Sequence, residues 1–358
     1  MAGRSPEVAV VGAGVIGLAI ARELRRRGAE VAVFERTGIG AGASGVQPGG
    51  VRQQWGTPVA CRLARESAAF YADADVLLES PVPLGFRECG YLFVAHTDAA
   101  LARLRANVAV QNAEGVPSRV VSAGEAAELV PGLRADAIAG GAWCAEDGYF
   151  DRPQSVVEAF GRGLDIRIGP VESLEPKLAD TVVVAAGAAT ADLLRPLGIE
   201  LPIEREDRFL FLSEPIRERL LEPLVVSAER GFAAKQLGDG RVLSSDLGAR
   251  GDASQRDRWR ANVRSGIEEL LPALGYVSFP VLVHGEYDVT PDHQPILGRV
   301  GDGLYVAAGF SGHGFMIAPA VARLVADAVT GEPPGEALRV LDLARFAEKR
   351  PVPEPQLV

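Results

Sequence analysis

The segment EVAVVGAGVIGLAIARELRRRGAEVAVFER, residues 7–36, constrains the fold of this chain more than any other stretch. A short apolar strand leads into Gly12, Gly14 and Gly17 in a G-x-G-x-x-G pattern, a helix follows, and a second strand ends at Glu35. In such βαβ units the glycines permit a tight turn, close approach of a pyrophosphate, and close packing of helix on strand. Amides at the helix start then face the phosphates, and the acid meets a ribose. We therefore predict a dinucleotide-binding unit.

The pattern alone leaves NAD and FAD open, although the negative Glu35 disfavours the 2′-phosphate of NADP. The next segment, TGIGAGASGVQPGGVRQQWG at 37–56, is a glycine-rich loop, where a nicotinamide enzyme usually continues into another helix and strand. A backbone that lets a ligand approach over many residues fits a cofactor that extends beyond the first βαβ unit. We therefore predict that this segment contacts FAD, and the alternative is an ordinary surface loop.

A second glycine-rich loop lies near the other end of the chain. GFSGHGFMIAP, residues 309–319, places three glycines directly before an apolar helix, and their entropic cost indicates that something approaches this backbone closely. The run TVVVAAG at 181–187 is typical of a strand buried on both faces of a parallel sheet. From about residue 207, RFLFLSEP, GFAAKQLGDG and RVLSSDLG predict antiparallel strands instead. The chain is thus predicted to leave one domain and return to it more than once.

Length, charge and cysteine content narrow the function classes. A chain of 358 residues suggests two domains, and a net charge of −10 argues against nucleic acid as a partner. The sequence has no apolar run of the ~18 residues that span a bilayer, and we expect no secretory signal ahead of the first strand. Cys61, Cys89 and Cys144 are isolated, which predicts neither a disulfide framework nor a metal site and suggests a cytoplasmic location. The Pro-rich tail EKRPVPEPQLV is expected to be loosely held.

Five motifs, taken in order, make the sequence resemble a known family. They are VVGAGVIGLAIARELRRRG, ASGVQPGGVRQQW, VVVAAGAAT, YDVTPDHQPILG and GLYVAAGFSGHGFMIAPA. Together they resemble the D-amino-acid-oxidase-like superfamily of FAD-dependent oxidoreductases, in its sarcosine oxidase and glycine oxidase branch. The resemblance implies an α/β, two-domain flavoprotein fold of glutathione-reductase type, with a Rossmann-like FAD-binding domain and a substrate domain built on an antiparallel sheet. The FAD-binding domain is then discontinuous, comprising residues 1–80, 142–200 and 288–358, and the substrate-binding domain comprises 81–141 and 201–287.

The resemblance also implies which residues meet the cofactor and the substrate. Non-covalent FAD is expected to contact Gly12, Gly14, Val15, Ile16, Gly17, Glu35, Arg36, Ala43, Ser44, Gly49, Gly50, Val171, Ala186, Gly187, Gly309, Ser311, Gly312, His313, Gly314, Phe315 and Met316. The predicted catalytic residues are Arg52, Met316 and His313, and no metal is expected. Arg52 sits where the family places a carboxylate-binding arginine, and its planar fork suits bidentate pairing. Amides at the start of the last long helix should face the flavin and raise its potential by tens of millivolts, since ~1.4 kcal/mol corresponds to ~30 mV.

The family chemistry is oxidation of an amine next to a carboxylate, with hydride transfer to flavin N5 and hydrolysis of the resulting imine. We therefore expect an FAD-dependent oxidoreductase acting on an amino acid or a sarcosine-like N-alkyl or secondary amino acid. Met316 stands where monomeric sarcosine oxidases carry lysine, which suggests a bulkier or more apolar substrate. The alternatives are a glycine or D-amino-acid oxidase that produces H2O2, a flavin-bearing subunit or assembly factor with little turnover, and, more distantly, an NAD dehydrogenase.

Two further departures from the family pattern concern oxygen and cofactor attachment. The resemblance implies that family oxidases use a lysine near N5 on the strand that reads RVLSSDLG here, where Leu243 or Ser244 stands. Lys235 on the neighbouring strand has two interpretations, as a substitute for that lysine or in a surface role, and we expect the surface role. We therefore expect a dehydrogenase or slow oxidase that uses an acceptor protein or quinone in addition to, or instead of, O2. Relatives with covalent flavin have a cysteine just before the tyrosine of YDVTPD, where Gly285 and Glu286 stand, so FAD should be held non-covalently. The oligomeric state is left open.

Overall fold

The computed structural model describes residues 6–175 and 178–356. In chain order its strands β1 to β17 are Val8–Val11, Val31–Glu35, Gly50–Val51, Phe86–Glu88, Tyr91–Ala95, Arg119–Val121, Gly140–Cys144, Gly148–Phe150, Asp165–Ile168, Thr181–Val184, Glu204–Leu212, Leu224–Ser227, Phe232–Gln236, Val242–Asp246, Val281–Val289, Ile296–Gly301 and Leu304–Ala308. Its helices α1 to α12 are Val15–Arg26, Ala43–Val46, Pro58–Ala72, Ala74–Leu77, Asp98–Ala113, Ala123–Leu129, Pro153–Gly161, Thr190–Leu194, Arg256–Leu270, Gly314–Val329, Glu336–Val340 and Ala344–Ala347.

A six-stranded sheet carries the βαβ unit that the sequence predicts. Its strand order is β16-β17-β10-β1-β2-β9, with β16 antiparallel to β17 and the other neighbours parallel. Along β1, Val8 and Val10 belong to the core that also contains residues of α1 and α10, whereas Ala9 and Val11 belong to a second core on the opposite face. This period of two explains why β1 is apolar at every position, because both faces of the strand are covered.

An eight-stranded sheet, in the order β15-β11-β14-β13-β12-β5-β7-β6, forms a separate layer. Its neighbours are antiparallel except for β12 and β5, which pair in parallel. The helix α9 covers one face, and the fully buried Trp259 of that helix stacks on Phe209 of β11 with ring centroids 4.4 Å apart. A small third sheet, β3-β8-β4, contains the strand that ends just before Arg52.

The strands of the two large sheets come from alternating parts of the chain. The six-stranded sheet uses residues 8–35, 165–184 and 296–308, and the eight-stranded sheet uses 91–144 and 204–289. β7 and β15 continue across the predicted domain limits at 141/142 and 287/288. The division into two domains at those residue numbers stays a prediction.

As far as Gln356, the Pro-rich tail is docked against the protein, so the expectation that it is loosely held is wrong for this part; Leu357 and Val358 lie outside the described residues. Glu354 and Gln356 are buried. The Glu354 carboxylate accepts hydrogen bonds from the Gly56 amide at 2.7 Å and the Thr57 hydroxyl at 2.8 Å, and its own amide donates to the Asp292 carbonyl at 3.1 Å. Charge-assisted hydrogen bonds and burial order this short segment despite its position near the end of the sequence.

Among the described residues, no helix has both the length and the hydropathy that crossing a membrane requires.

Candidate active site

The turn between β1 and α1 brings backbone close to backbone. Gly12 has φ +109°, and a side chain there would overlap the carbonyl of Ala185; one on Gly17 would overlap the carbonyl of Gly12. The helix α1 has no acidic residue in its first turn, and the Ser44 hydroxyl accepts a hydrogen bond from the Val15 amide at 3.0 Å. The positive end of a helix with an open approach to its backbone suits the binding of phosphate groups.

Glu35 places a negative charge beside this turn. Its carboxylate accepts hydrogen bonds from the amides of Ala13 at 2.8 Å and Thr37 at 2.9 Å. Burial alone would raise the pKa of Glu35, but these amides outweigh it and hold the pKa below its usual range. Its Oε1 also accepts longer hydrogen bonds from the Thr37 hydroxyl at 3.3 Å and the Gly38 amide at 3.4 Å, whereas Oε2 accepts only from Ala13 among the described residues. Acceptor capacity for a ribose hydroxyl therefore remains on Oε2.

The other residues predicted at the nucleotide end lie around the same turn. Ala186 follows β10, and its Cα lies 2.9 Å from the position of a Cβ on Gly12; Gly187 comes next with φ +56°. Val171 and Phe34 are both half-buried and pack at the margin of the core cluster that contains Ala9 and Val11. The solvent-exposed members of the set are Arg36, Ala43 and Gly187.

Gly50 brings the predicted cofactor loop against Tyr91 and Met316. A side chain on Gly50 would overlap the Tyr91 hydroxyl and would come within 3.5 Å of the Met316 methyl carbon. A side chain on Gly49, which has φ +78°, would come within 2.5 Å of the Phe150 carbonyl. Residues that are distant in the sequence therefore meet at this loop, and positions 49 and 50 have space only for glycine.

The loop at 309–312 is fixed to the end of β15. The Gly309 amide donates to the Asp288 carboxylate at 2.7 Å, and the Ser311 amide donates to the Asp288 carbonyl at 2.9 Å. Gly309, Ser311 and Gly312 all have positive φ, and a side chain on Gly312 would overlap the Tyr287 ring. Burial raises the pKa of Asp288 to about 6. Asp288 lies in the motif YDVTPDHQPILG, and no role was predicted for it from the sequence.

The helix α10 begins directly after this loop. No side chain among the described residues caps its start, where His313 is the N-cap residue. The Cβ position of Gly314 lies 3.6 Å from the Ile16 methyl of α1, so the N-termini of α1 and α10 converge. Pro319 interrupts the α10 hydrogen-bond ladder, and the Tyr71 hydroxyl donates to the Phe315 carbonyl at 2.5 Å, the acceptor that the missing amide leaves.

Arg52 is fully buried, with 0% of its surface exposed. Its two hydrogen bonds reach neutral carbonyls, Gln54 O at 2.5 Å and Gln356 O at 2.9 Å. Its guanidinium carbon lies 3.8 Å from the centre of the Trp55 ring and 5.3 Å from that of Phe93. Its Nε finds no hydrogen-bond partner in the described part of the chain.

His313 also packs against Trp55. Its ring meets Trp55 edge-on with centroids 4.4 Å apart. Burial, with Arg52 contributing, lowers the pKa of His313 well below its usual value. The three predicted catalytic residues therefore lie around Trp55 and Gly50: Arg52 and His313 contact the Trp55 ring, and Met316 lies beside Gly50.

Asp147 and Gln54 form a polar pair that the sequence analysis did not single out. Asp147 accepts hydrogen bonds from the Gln53 amide at 2.8 Å and from Gln54 Nε2 at 3.0 Å. Burial raises the pKa of Asp147 to about 7 against these donors. The Oε1 atom of Gln54 is buried without a partner among the described residues. An acid in the turn sequence EDG resembles any turn acid, so the sequence held no signal for this pair.

Lys235 is fully buried, so the expected surface role is wrong. Its ammonium donates to the Pro48 carbonyl and lies 4.0 Å from the centre of the Tyr149 ring. Burial lowers the pKa of Lys235 to about 7. The residue lies under the Pro48–Gly50 loop, and the family's lysine position on β14 is occupied by Leu243 or Ser244.

These residues fit a dinucleotide flavin. Two helix starts converge, and three buried polar atoms along 47–54 lack partners in the described chain: Gln47 Nε2, Arg52 Nε and Gln54 Oε1. Within the same described residues, no group of three His, Cys, Asp or Glu side chains is arranged to hold a metal ion.

Comparison with known families assigns the chain. The family model described as "DAO: FAD dependent oxidoreductase" matches residues 7–328. The chain belongs to this family. It is accordingly an FAD-dependent oxidoreductase, and the predicted family, cofactor and α/β flavoprotein fold are confirmed.

Individual relatives support the fold over nearly the whole chain. The L-proline dehydrogenase from P. horikoshii superposes with a TM-score of 0.88 at 27% identity, covering 97% of this chain and 99% of that one. Glycine oxidase from Geobacillus kaustophilus is 28% identical over 90% of this chain and 92% of its own length. The formaldehyde-forming 4-methylaminobutanoate oxidase of Paenarthrobacter nicotinovorans is 25% identical over 94% of this chain, which matches only 45% of that longer protein.

Proposed function

We propose that this flavoenzyme oxidises the C–N bond of an amino acid, with N-alkyl and secondary amino acids as the leading class. The observation that carries the proposal is the state of Arg52. Within the described residues its guanidinium is fully buried, donates to two neutral carbonyls and has an unpartnered Nε, while Glu354 and Asp147 stabilise its charge without forming an ion pair with it. Such a buried cation favours the binding of an anion. Its planar fork matches a carboxylate. The similar proteins named above act on proline, glycine and a methylamino acid, all of which carry a carboxylate.

The chain's own residues would bind and orient the substrate. Arg52 holds the carboxylate, while Gly50, Tyr91 and Met316 line the neighbouring wall. Met316 offers a polarisable, uncharged thioether, so that side of the site favours an apolar substituent rather than a second charged group. Bound FAD supplies the hydride acceptor, and the imine product then hydrolyses in water.

The arrangement around β14 supports a dehydrogenase or a slow oxidase. The Ser244 hydroxyl donates to the Ala233 carbonyl at 2.8 Å. Lys235, on the adjacent strand, donates its hydrogen bond to Pro48. The strand β14 itself contains no lysine. An acceptor protein or quinone is therefore the proposed destination of the electrons, and FAD is proposed to be non-covalent because Gly285 and Glu286 offer no thiol.

Anaerobic bleaching of the flavin tests the substrate class. Each amino acid is paired with the amine that lacks its carboxylate: sarcosine with dimethylamine, and proline with pyrrolidine. We expect only the amino acids to bleach the holoenzyme. In Arg52→Gln, KM for the active amino acid should rise about 100-fold, since hydrogen bonds to charged groups contribute ~1.5–3 kcal/mol each. Arg103→Gln, at an exposed position on α5, is the control. Equal bleaching by an amine and its amino acid would contradict the proposal.

Mixing the reduced enzyme with O2 tests the acceptor. We expect reoxidation by O2 to be slower than reoxidation by a quinone. Reoxidation by O2 that is as fast as turnover would instead favour the oxidase alternative.

A further inference from the structure

Residues 351–356, here called the strap, cover Arg52. The Gln356 carbonyl accepts a hydrogen bond from the guanidinium at 2.9 Å. The side-chain carbonyl of Gln356 is bound by the Asn107 amide of α5, and its backbone amide donates to the Glu354 carboxylate at 2.9 Å. The carbonyl that reaches Arg52 therefore belongs to a residue whose side chain and backbone amide are both held by hydrogen bonds.

The strap is anchored on both sides of the Arg52 segment. Glu354 binds the Gly56 amide and the Thr57 hydroxyl at the start of α3, and Pro355 fills the space against Gly56. At its other end, the Val352 amide donates to the Asp292 carboxylate at 3.0 Å. Its three prolines, all exposed, alternate with residues that face the protein. Prolines limit the conformations of the released segment, which lowers the entropic cost of docking it again.

The other groups around the guanidinium leave little freedom to uncover it. Phe93 belongs to the central strand β5, and Trp55 is held by a hydrogen bond from its ring nitrogen to the Arg52 carbonyl at 3.1 Å. The strap, in contrast, belongs to no sheet or helix and is held by hydrogen bonds to Gly56, Thr57, Asp292 and Asn107. A carboxylate makes a stronger, charge-assisted hydrogen bond to arginine than a peptide carbonyl does. Exchange of the Gln356 carbonyl for a substrate carboxylate therefore strengthens the hydrogen bond at Arg52, which offsets the loss of strap contacts.

We propose that the strap closes the carboxylate position at Arg52, and that an amino acid substrate binds by displacing Gln356 from the guanidinium. The inference rests on the proposed function, because it takes Arg52 as the carboxylate-binding residue. The strap then acts as a built-in competitor that every carboxylate ligand must displace, which weakens ligand binding without any change to the reacting groups.

Acetate binding to the FAD-loaded protein tests the strap, with acetamide as the uncharged control. Binding is followed by the flavin absorbance spectrum and by tryptophan fluorescence, to which Trp55 contributes. In a chain shortened to end at Glu354, and in Asn107→Ala, we expect the Kd for acetate to fall about tenfold and about threefold respectively, the range of one hydrogen bond of ~0.5–1.5 kcal/mol. Arg350→Ala, at an exposed position beside the strap, should keep the parent Kd.

Hydrogen exchange in the full-length holoenzyme gives a readout that does not depend on activity. Acetate, but not acetamide, should accelerate exchange of the Gln356 amide. Unchanged exchange together with the same Kd in every variant would overturn the strap while leaving carboxylate binding at Arg52 intact. Failure of acetate to bind any FAD-loaded variant would overturn both proposals. Should the shortened chain lose FAD, Asn107→Ala decides between the outcomes.

Discussion

Lys235→Met tests the burial of a positive charge beneath the Pro48–Gly50 loop. Desolvation lowers the pKa of Lys235 from its ordinary 10.5 to about 7, while Asp151 and Cys89 act in the opposite direction. At ~1.36 kcal/mol for each unit of pKa, burying the ammonium rather than the neutral amine costs about 5 kcal/mol below pH 7. Because the folded pKa is the lower one, the unfolded chain binds more protons between pH 7 and 10.5. The contribution of Lys235 to stability therefore rises with pH across that window.

Methionine has a similar volume and no charge, but it leaves the Pro48 carbonyl without its donor, which costs ~1–3 kcal/mol. At about pH 6 we therefore expect Lys235→Met to be more stable than the parent by about 2–4 kcal/mol. Above pH 10.5 the neutral amine still donates to Pro48, so the variant should be the less stable protein by ~1–3 kcal/mol.

Urea unfolding at a fixed excess of FAD, repeated across this pH range, measures the difference between the two proteins. Lys349→Met, at an exposed position, is the matched control and should show no such pH dependence. If the stability difference between Lys235→Met and the parent stayed constant from about pH 6 to 10.5, the inference of a buried titrating amine would be refuted.

Two further substitutions probe the cofactor loop and the anchor of the strap. Gly312→Ala should weaken FAD retention, because alanine at φ +86° is strained by ~1–3 kcal/mol and its Cβ meets the Tyr287 ring. Retention is measured as flavin absorbance per protein after gel filtration. Gly38→Ala, which has open space around it, should retain FAD, and equal retention in both variants would contradict this expectation. Arg345→Met should destabilise the protein by about 3–5 kcal/mol in urea unfolding, since it strands the buried Asp292 carboxylate of an ion pair at 2.9 Å. Burial raises the pKa of Asp292, but Arg345 outweighs burial and holds the pKa below its ordinary 3.8. The stabilisation is therefore present above pH 3.8 and is lost as the pH falls through the lower folded pKa. A loss of stability below ~1 kcal/mol in Arg345→Met would count against the ion pair.

The sequence was most informative where the backbone itself is constrained. Gly12 was predicted at a tight turn and Gly17 at a close contact of helix and strand, and the structure leaves no space for a side chain at either. The alternation of apolar segments predicted a parallel sheet containing 181–184 and antiparallel strands after 207, and both sheets exist. Local spacing and composition carry this information because turns and strand periods are local properties.

The features that the sequence did not reveal depend on contacts between distant residues. Lys235 lies in FAAKQ, where four of the five residues are buried, and its partner Pro48 is 187 residues away. The tail looked mobile because short Pro-rich termini usually are, yet Glu354 meets Gly56 from 298 residues along the chain. Neither partner can be inferred from composition, because it is the fold that brings them together.

The parallel pairing of β5 with β12 determines whether either large sheet can be produced from one continuous part of the sequence. Between those two strands the chain also supplies β9 and β10 to the other large sheet, whose last parallel partner, β17, ends only at Ala308. Neither large sheet is therefore encoded by one uninterrupted piece of sequence. During synthesis each sheet therefore has unpaired edges until its later strands are made, and a polypeptide cut at any single point between β5 and β12 would leave both sheets incomplete.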